Sequence, residues 1–163
     1  FKEKIKEEFA EKISVPKATQ DISACEYPAS KASLIIKHLK FDDFNWQGRE
    51  SVKYKHANES SFSGVRRVEL MGGNGEDTSF DLRYFEVNQD GYSSKEMHQH
   101  THVIIVARGE GEVIIGDEKY LANKNDVLYI KPMTTHQLKN PNAEPFGFYC
   151  IVGCDRDKPI IVD

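Results

Sequence analysis

The chain has 163 residues, of which 39% are hydrophobic and 29% charged, and a net charge of −4. That length and composition suit one globular domain with a real core and exclude a disordered chain. The acidic balance argues against a nucleic-acid partner, and no apolar run approaches the roughly 18–20 residues of a membrane span.

The opening FKEKIKEEFAEKI places Phe1, Ile5, Phe9 and Ile13 four residues apart between Lys and Glu. This spacing predicts one apolar stripe on a short amphipathic helix, ended by Pro16. Its charge is unlike that of a secretory signal. Residues 14–50 are mixed and read as an arm over the main domain, anchored by the single Trp46. The chain therefore divides into a helix and arm over 1–50 and a barrel over 51–163.

Beyond Trp46 the texture changes to short apolar runs bounded by Gly, Asn, Asp and Pro. Strands are expected at VKYKH (52–56), GVRRVELM (64–71), FDLRYFEV (80–87), HVIIVA (102–107) and GEVIIG (111–116). DVLYI (126–130), THQLK (135–139) and FGFYCIV (146–152) continue the series. Turns are expected at GGNGED (72–77), NQDG (88–91), RGEG (108–111), GDEK (116–119) and NPNAEP (140–145). Many short strands without intervening helices predict an all-β sandwich or barrel. HVIIVA and FGFYCIV are apolar on both faces, as strands buried on both sides are. Cys25, Cys150 and Cys154 show no zinc-type pairing and read as unpaired thiols of a reducing cytoplasm.

EMHQHTHVII (96–105) concentrates three of the six histidines within five residues. On a continuous strand Glu96, His98, His100 and His102 share one face. Imidazole and carboxylate suit Mn, Fe, Ni, Co or Zn, and the absence of a thiolate disfavours structural zinc. His136 opens a later strand after the turn in KPMTTHQLKN and can reach the same cavity. His38 and His56 stand alone and read as surface or packing residues.

GYSSKEMHQHTHVIIVARGEG resembles the first motif of the cupin family, and NDVLYIKPMTTHQLKN resembles the second. Together they span residues 91–140. His136 and Asn140 match the end of the second motif, Asn125 stands at its usual Gly, and Met133 replaces its inner Gly. The resemblance implies a jelly-roll barrel (a double-stranded β-helix) and one bound divalent metal. Counted back from the closing Gly109, the family's Glu position falls on His102. In the shorter spacing its His-x-His pair falls on Glu96 and His98. The ligand set implied is Glu96, His98, His102 and His136, with His100 left for substrate; a set of His98, His100 and His136 stays open. Three or four protein ligands leave coordination positions for water or substrate.

More narrowly, RYFEV…GYSS, E-x-H-x-H-x-H, PMT-x-HQ and GF-x-C-x-V…RDKP are similar to the methylthioxylulose-phosphate methylsulfurylase branch of small cupins. That resemblance implies manganese, enolisation of a ketose phosphate and passage of a methylthio group to a thiol. Cys150 becomes a candidate nucleophile, although a free Cys in an apolar strand is commonly a buried hydrophobe. Of the neighbours Arg83 and Tyr84 at most one faces the cavity; an inward Arg83 would bind phosphate or carboxylate. Lys131 is a second candidate substrate contact, and Tyr129 and His100 are candidate acid–base groups. The reading is a metal-dependent cupin enzyme acting on a small polar metabolite. A non-catalytic metabolite- or metal-binding module and a cupin dioxygenase are the alternatives. Exposed β edges and the arm suit a homodimer.

Overall fold

The computed structural model describes residues 33–40, 43–52, 54–55 and 61–162. The expected helix over residues 1–13, Cys25 and His56 lie outside these residues. Runs rich in β-branched and aromatic residues pair into a curled antiparallel sheet, the half-barrel of a jelly roll. Its strands are β1 (Ser51–Val52), β2 (Ser63–Met71), β3 (Phe80–Tyr92), β4 (Glu96–Met97), β5 (His102–Arg108) and β6 (Glu110–Ile115). There follow β7 (Glu118–Asn123), β8 (Val127–Ile130), β9 (His136–Lys139), β10 (Phe146–Gly153) and β11 (Ile160–Ile161).

One run of pairing is β1–β2–β3–β10–β5–β8, and the other is β11–β4–β9–β6–β7. β3 joins them. Residues 80–87 of β3 pair with β10, while Tyr92 at its far end pairs with Lys139 of β9. NQDG, expected to be a turn, is therefore inside a strand. The strand bends there, with Asp90 at a φ of 58°. A Cβ on Gly91 would stand 2.8 Å from the carbonyl oxygens of Asn88 and Ser63, so only glycine fits the bend. Gly109, which closes the first motif, has a φ of 60°, and a Cβ there would meet the Pro145 carbonyl oxygen at 2.4 Å.

Alternation along β3 and β10 gives two apolar faces. Phe85, Val87, Phe148 and Val152 turn inward and pack with Ile104, Val113 and Leu138 in the main core. Tyr84 and Tyr149 turn outward, where Trp46, Val68 and Leu70 complete a second cluster. Trp46 is 7% exposed, and Phe44 stacks on Tyr84 with ring centroids 5.0 Å apart. Arg66 fastens the same strap through the Asn45 Oδ1 at 2.9 Å and the Phe44 carbonyl at 3.2 Å. Buried Glu86 accepts from the Tyr84 hydroxyl at 2.8 Å and from Arg108 at 3.1 Å.

Three further expectations need correction. Among the described residues of VKYKH, Val52 pairs in the ladder as the end of β1, and Tyr54 and Lys55 lie outside any strand. GDEK is a turn only at Gly116 and Asp117, since Glu118 and Lys119 begin β7. β7 was hidden because EKYLAN lacks period-two alternation and all but Ala122 of it is exposed. Finally, Cys150 is a free buried thiol, but Cys154 is disulfide-bonded, against the reading of three unpaired cysteines.

Because Trp46 fills the centre of the outer cluster, Trp46→Ala should lower the unfolding free energy by about 3 kcal/mol. Urea denaturation followed by far-UV circular dichroism measures this. A loss below about 1 kcal/mol would show that the strap does not contribute to the fold.

Candidate metal centre

β4 ends at Met97 and β5 begins at His102, so residues 98–101 form a loop. The histidines therefore do not meet by alternation on one continuous strand, as the sequence suggested. The loop stacks His98 on His100, with ring centroids 3.6 Å apart and planes within 8°. His102 opens β5 and His136 opens β9, where it pairs across the ladder with Glu96. The Met133 amide donates to the His98 carbonyl at 2.7 Å, tying the second-motif turn to the histidine loop. Met133 and Asn125 both have left-handed φ, 55° and 76°, at the two places where the resembling motif has Gly. Asn140 is fully buried and satisfied: its amide donates to the carbonyls of Val87 (2.9 Å) and Glu144 (2.8 Å), and its oxygen accepts from the Asn142 amide (3.0 Å).

His98, His102 and His136 each present a ring nitrogen, and these lie within 4.8 Å of one another. Two of the rings are fixed from behind. His98 Nδ1 lies 2.8 Å from the His100 carbonyl and His136 Nδ1 lies 2.9 Å from the Thr134 carbonyl. A carbonyl only accepts, so each Nδ1 is the donor and each Nε2 keeps its lone pair. His98 Nε2 is buried with no hydrogen-bond partner among the described residues. Such an orphaned acceptor beside two other imidazoles fits a bound cation.

Burial holds His102 well below the ordinary imidazole range, and the neighbouring His136 and His98 add to the effect. Burial also lowers His136, and lowers His100 despite its Asp157 partner. Neutral imidazole is the form that ligates.

Glu96 stands beside this trio, with its buried carboxylate ion-paired to Lys55. His100 turns its Nδ1 to Asp157 Oδ1 at 2.7 Å and brings its Nε2 to 3.2 Å from His102 Nε2. Asp157 also accepts the backbone amides of Gln99 (2.9 Å) and His100 (3.1 Å), and these bonds hold its carboxyl down at about 2. His98, His100 and Asp157 thus form a second group able to hold an ion, at the edge of the first.

Both groups open into a cavity of about 600 Å3. Arg83 and Cys150 face into it, and Tyr84 faces away, as strand alternation requires. Cys150 Sγ is 3.9 Å from His102 Nδ1 and accepts from Arg83 Nη2 at 3.4 Å; burial pushes its thiol up. Tyr129 does not line this cavity. Its neighbours Leu128 and Ile130 point inward, so Tyr129 faces out and is 64% exposed. Lys131, just past the end of β8, is exposed and does not line the cavity either.

The cavity wall includes Lys55, Arg67, Arg156, Asp157 and Lys158, which sequence reading left unassigned. One signal was available: adjacent Arg66 and Arg67 on a strand must point to opposite faces, so one had to enter.

The family profile described as a cupin domain matches residues 83–152. The chain is also 35% identical over 116 residues to the 1-methylthio-D-xylulose 5-phosphate methylsulfurylase of Rhodospirillum rubrum, covering 71% of this chain and 73% of that one. The chain belongs to the cupin family. A cupin-2 domain structure from Rhodospirillum rubrum is similar, with a TM-score of 0.68 and 34% identity, covering 75% of this cupin and 80% of that chain. A cupin 2 domain-containing protein from Halorhodospira halophila is 38% identical with a TM-score of 0.59, covering 82% and 85%. Cupins typically bind a metal, and in this cupin the three-histidine cluster is a place that fits one.

Removing any of His98, His102 or His136 as Ala should weaken divalent-ion binding by more than the roughly 10–100-fold expected for an outer partner. His100→Ala should fall within or below that range. Chelator-competition titration of the apo-protein measures both. Equal losses for His100 and His98 would instead favour the group that contains Asp157.

Proposed function

We propose that this cupin is a metal-dependent enzyme that acts on a small methylthio-ketose phosphate and passes the methylthio group to a thiol. The observation that carries the reading is the convergence of three imidazoles beside a free cysteine at one cavity. The identity to a relative named as a methylsulfurylase supports the substrate class. His98, His102 and His136 would hold the ion, with Glu96 able to join them if Lys55 releases it. A divalent ion, manganese in this proposal, supplies Lewis acidity toward a carbonyl or enediolate oxygen.

The chain's own residues do the rest. Cys150 sulfur forms a bond to the methylthio sulfur as the substrate's carbon–sulfur bond breaks. The bonding pair stays on carbon, which takes up a proton to become a methyl group. An external thiol then displaces the methylthio group from Cys150, so the overall change is a thioether and a thiol becoming a deoxy sugar phosphate and a mixed disulfide. Arg83, donating to Cys150 Sγ, favours the thiolate that attack requires, opposing the effect of burial. His100, hydrogen-bonded to Asp157, would move the proton in this proposal. A homodimer belongs to this proposal, supported by the exposed Tyr120, Leu121, Val127 and Tyr129 on β7 and β8.

The manganese-loaded protein, given methylthioxylulose phosphate and glutathione, should release a deoxypentulose phosphate and a methylthio–glutathione disulfide. Cys150→Ser should cut that release by more than about tenfold with the metal content unchanged, about 1.4 kcal/mol or more of barrier. No product from the wild-type protein would remove the substrate. Full activity in Cys150→Ser would remove the cysteine from the reaction.

A further inference from the structure

The sheet register sets Arg67 opposite Phe85 and Glu69 opposite Arg83, so Arg67 and Arg83 are diagonal neighbours on the inward face. Arg156 joins them from the segment between β10 and β11, bonded to the Gly153 carbonyl at 3.1 Å and ion-paired with Asp81 of β3. Three guanidinium groups from two strands and a loop therefore share one cavity wall.

Their pairing is incomplete. Arg67 donates to the Tyr54 carbonyl at 3.2 Å and pairs with Glu69 at 3.2 Å, yet its buried Nε has no partner among the described residues. Arg83 is 9% exposed, and its Nε is likewise buried and unpartnered. Its other contacts are the Cys150 sulfur and the Phe85 ring, whose centroid lies 5.2 Å from Cζ. No carboxylate pairs with Arg83 among the described residues. Burial, reinforced by the charges of Arg83 and Arg156, pulls Arg67 below the ordinary guanidinium range despite Glu69. Lys55 and Lys158 add two more cations to the wall, against the carboxylates of Glu69, Asp81, Glu96 and Asp157. This excess of positive charge is local, because the chain as a whole carries −4.

We infer that Arg67, Arg83 and Arg156 form an anion subsite that takes the phosphate of a small phosphomonoester. A dianion with three equivalent oxygens suits three planar donor forks better than a carboxylate with two. A cavity of about 600 Å3 is of a size that admits a small metabolite. The contacts Arg83–Cys150 (3.4 Å) and Cys150–His102 (3.9 Å) connect this subsite to the imidazole trio. A ligand held by its phosphate at the arginines thus directs its other end toward the histidines. The inference rests on reading the cavity as the substrate site, but not on any particular reaction there.

Calorimetric titration of the chelator-treated, metal-free protein with inorganic phosphate, glycerol 3-phosphate and glycerol tests it. Both phosphates should bind and glycerol should not. Arg67→Gln and Arg156→Gln should each weaken glycerol 3-phosphate by about tenfold or more, the loss of a charge-assisted donor. Lys119→Gln, on the exposed β6–β7 hairpin, should leave it unchanged. Near-UV circular dichroism checks folding; if Arg67→Gln fails to fold, Arg156→Gln, in a loop, decides. No phosphate binding by the wild-type protein, or equal binding by the folded variants, overturns the subsite. Phosphate binding without turnover of the methylthio substrate retains the subsite and removes the reaction.

Discussion

A buried imidazole can face a cation only if its other nitrogen is satisfied elsewhere, and two backbone carbonyls meet that requirement here. The carbonyl of His100 takes the Nδ1 proton of His98, and that of Thr134 takes the proton of His136. Each ring is thereby held in one tautomer with Nε2 pointing inward. Both carbonyls lie in loops, and the Met133 amide bonding to the His98 carbonyl keeps those loops in register. Without these bonds the trio would be three buried bases with no fixed direction.

The sheet explains why these loops meet. β3 runs through both halves of the sheet, pairing with β10 along its first part and touching β9 at Tyr92. β9 then delivers His136 opposite Glu96 of β4. The same strand presents Arg83 to the cavity and Tyr84 to the Trp46 cluster. Stability on the outside and chemistry on the inside thus come from adjacent residues of one strand.

Much of this was legible in the sequence because period-two patterning and turn residues act locally. β2, β5, β6, β8, β9 and β10 lie where the apolar runs predicted them. The failures also have physical causes. NQDG carries turn residues, but Gly91 and Asp90 use them to bend a strand rather than end it. The E-x-H-x-H-x-H spacing looked like a pleated face, yet the rings converge through a loop whose hydrogen bonds no spacing reveals. Tyr129 had suitable chemistry on the outer face of β8, and Lys131 is exposed beyond the end of that strand. Asp157 and Arg156 reach the cavity from a segment over fifty residues beyond the histidine loop, a closure that only tertiary structure shows.

The cavity couples a metal-fitting end to an arginine-lined wall, and Cys150 lies between them. That order along the wall gives the site its direction, and it depends on the trio holding the ion. An anomalous difference map from crystals of the manganese-loaded protein is the most direct test. The account predicts one peak within bonding distance of the Nε2 atoms of His98, His102 and His136. A peak centred between His98, His100 and Asp157, or none in the cavity, would contradict it.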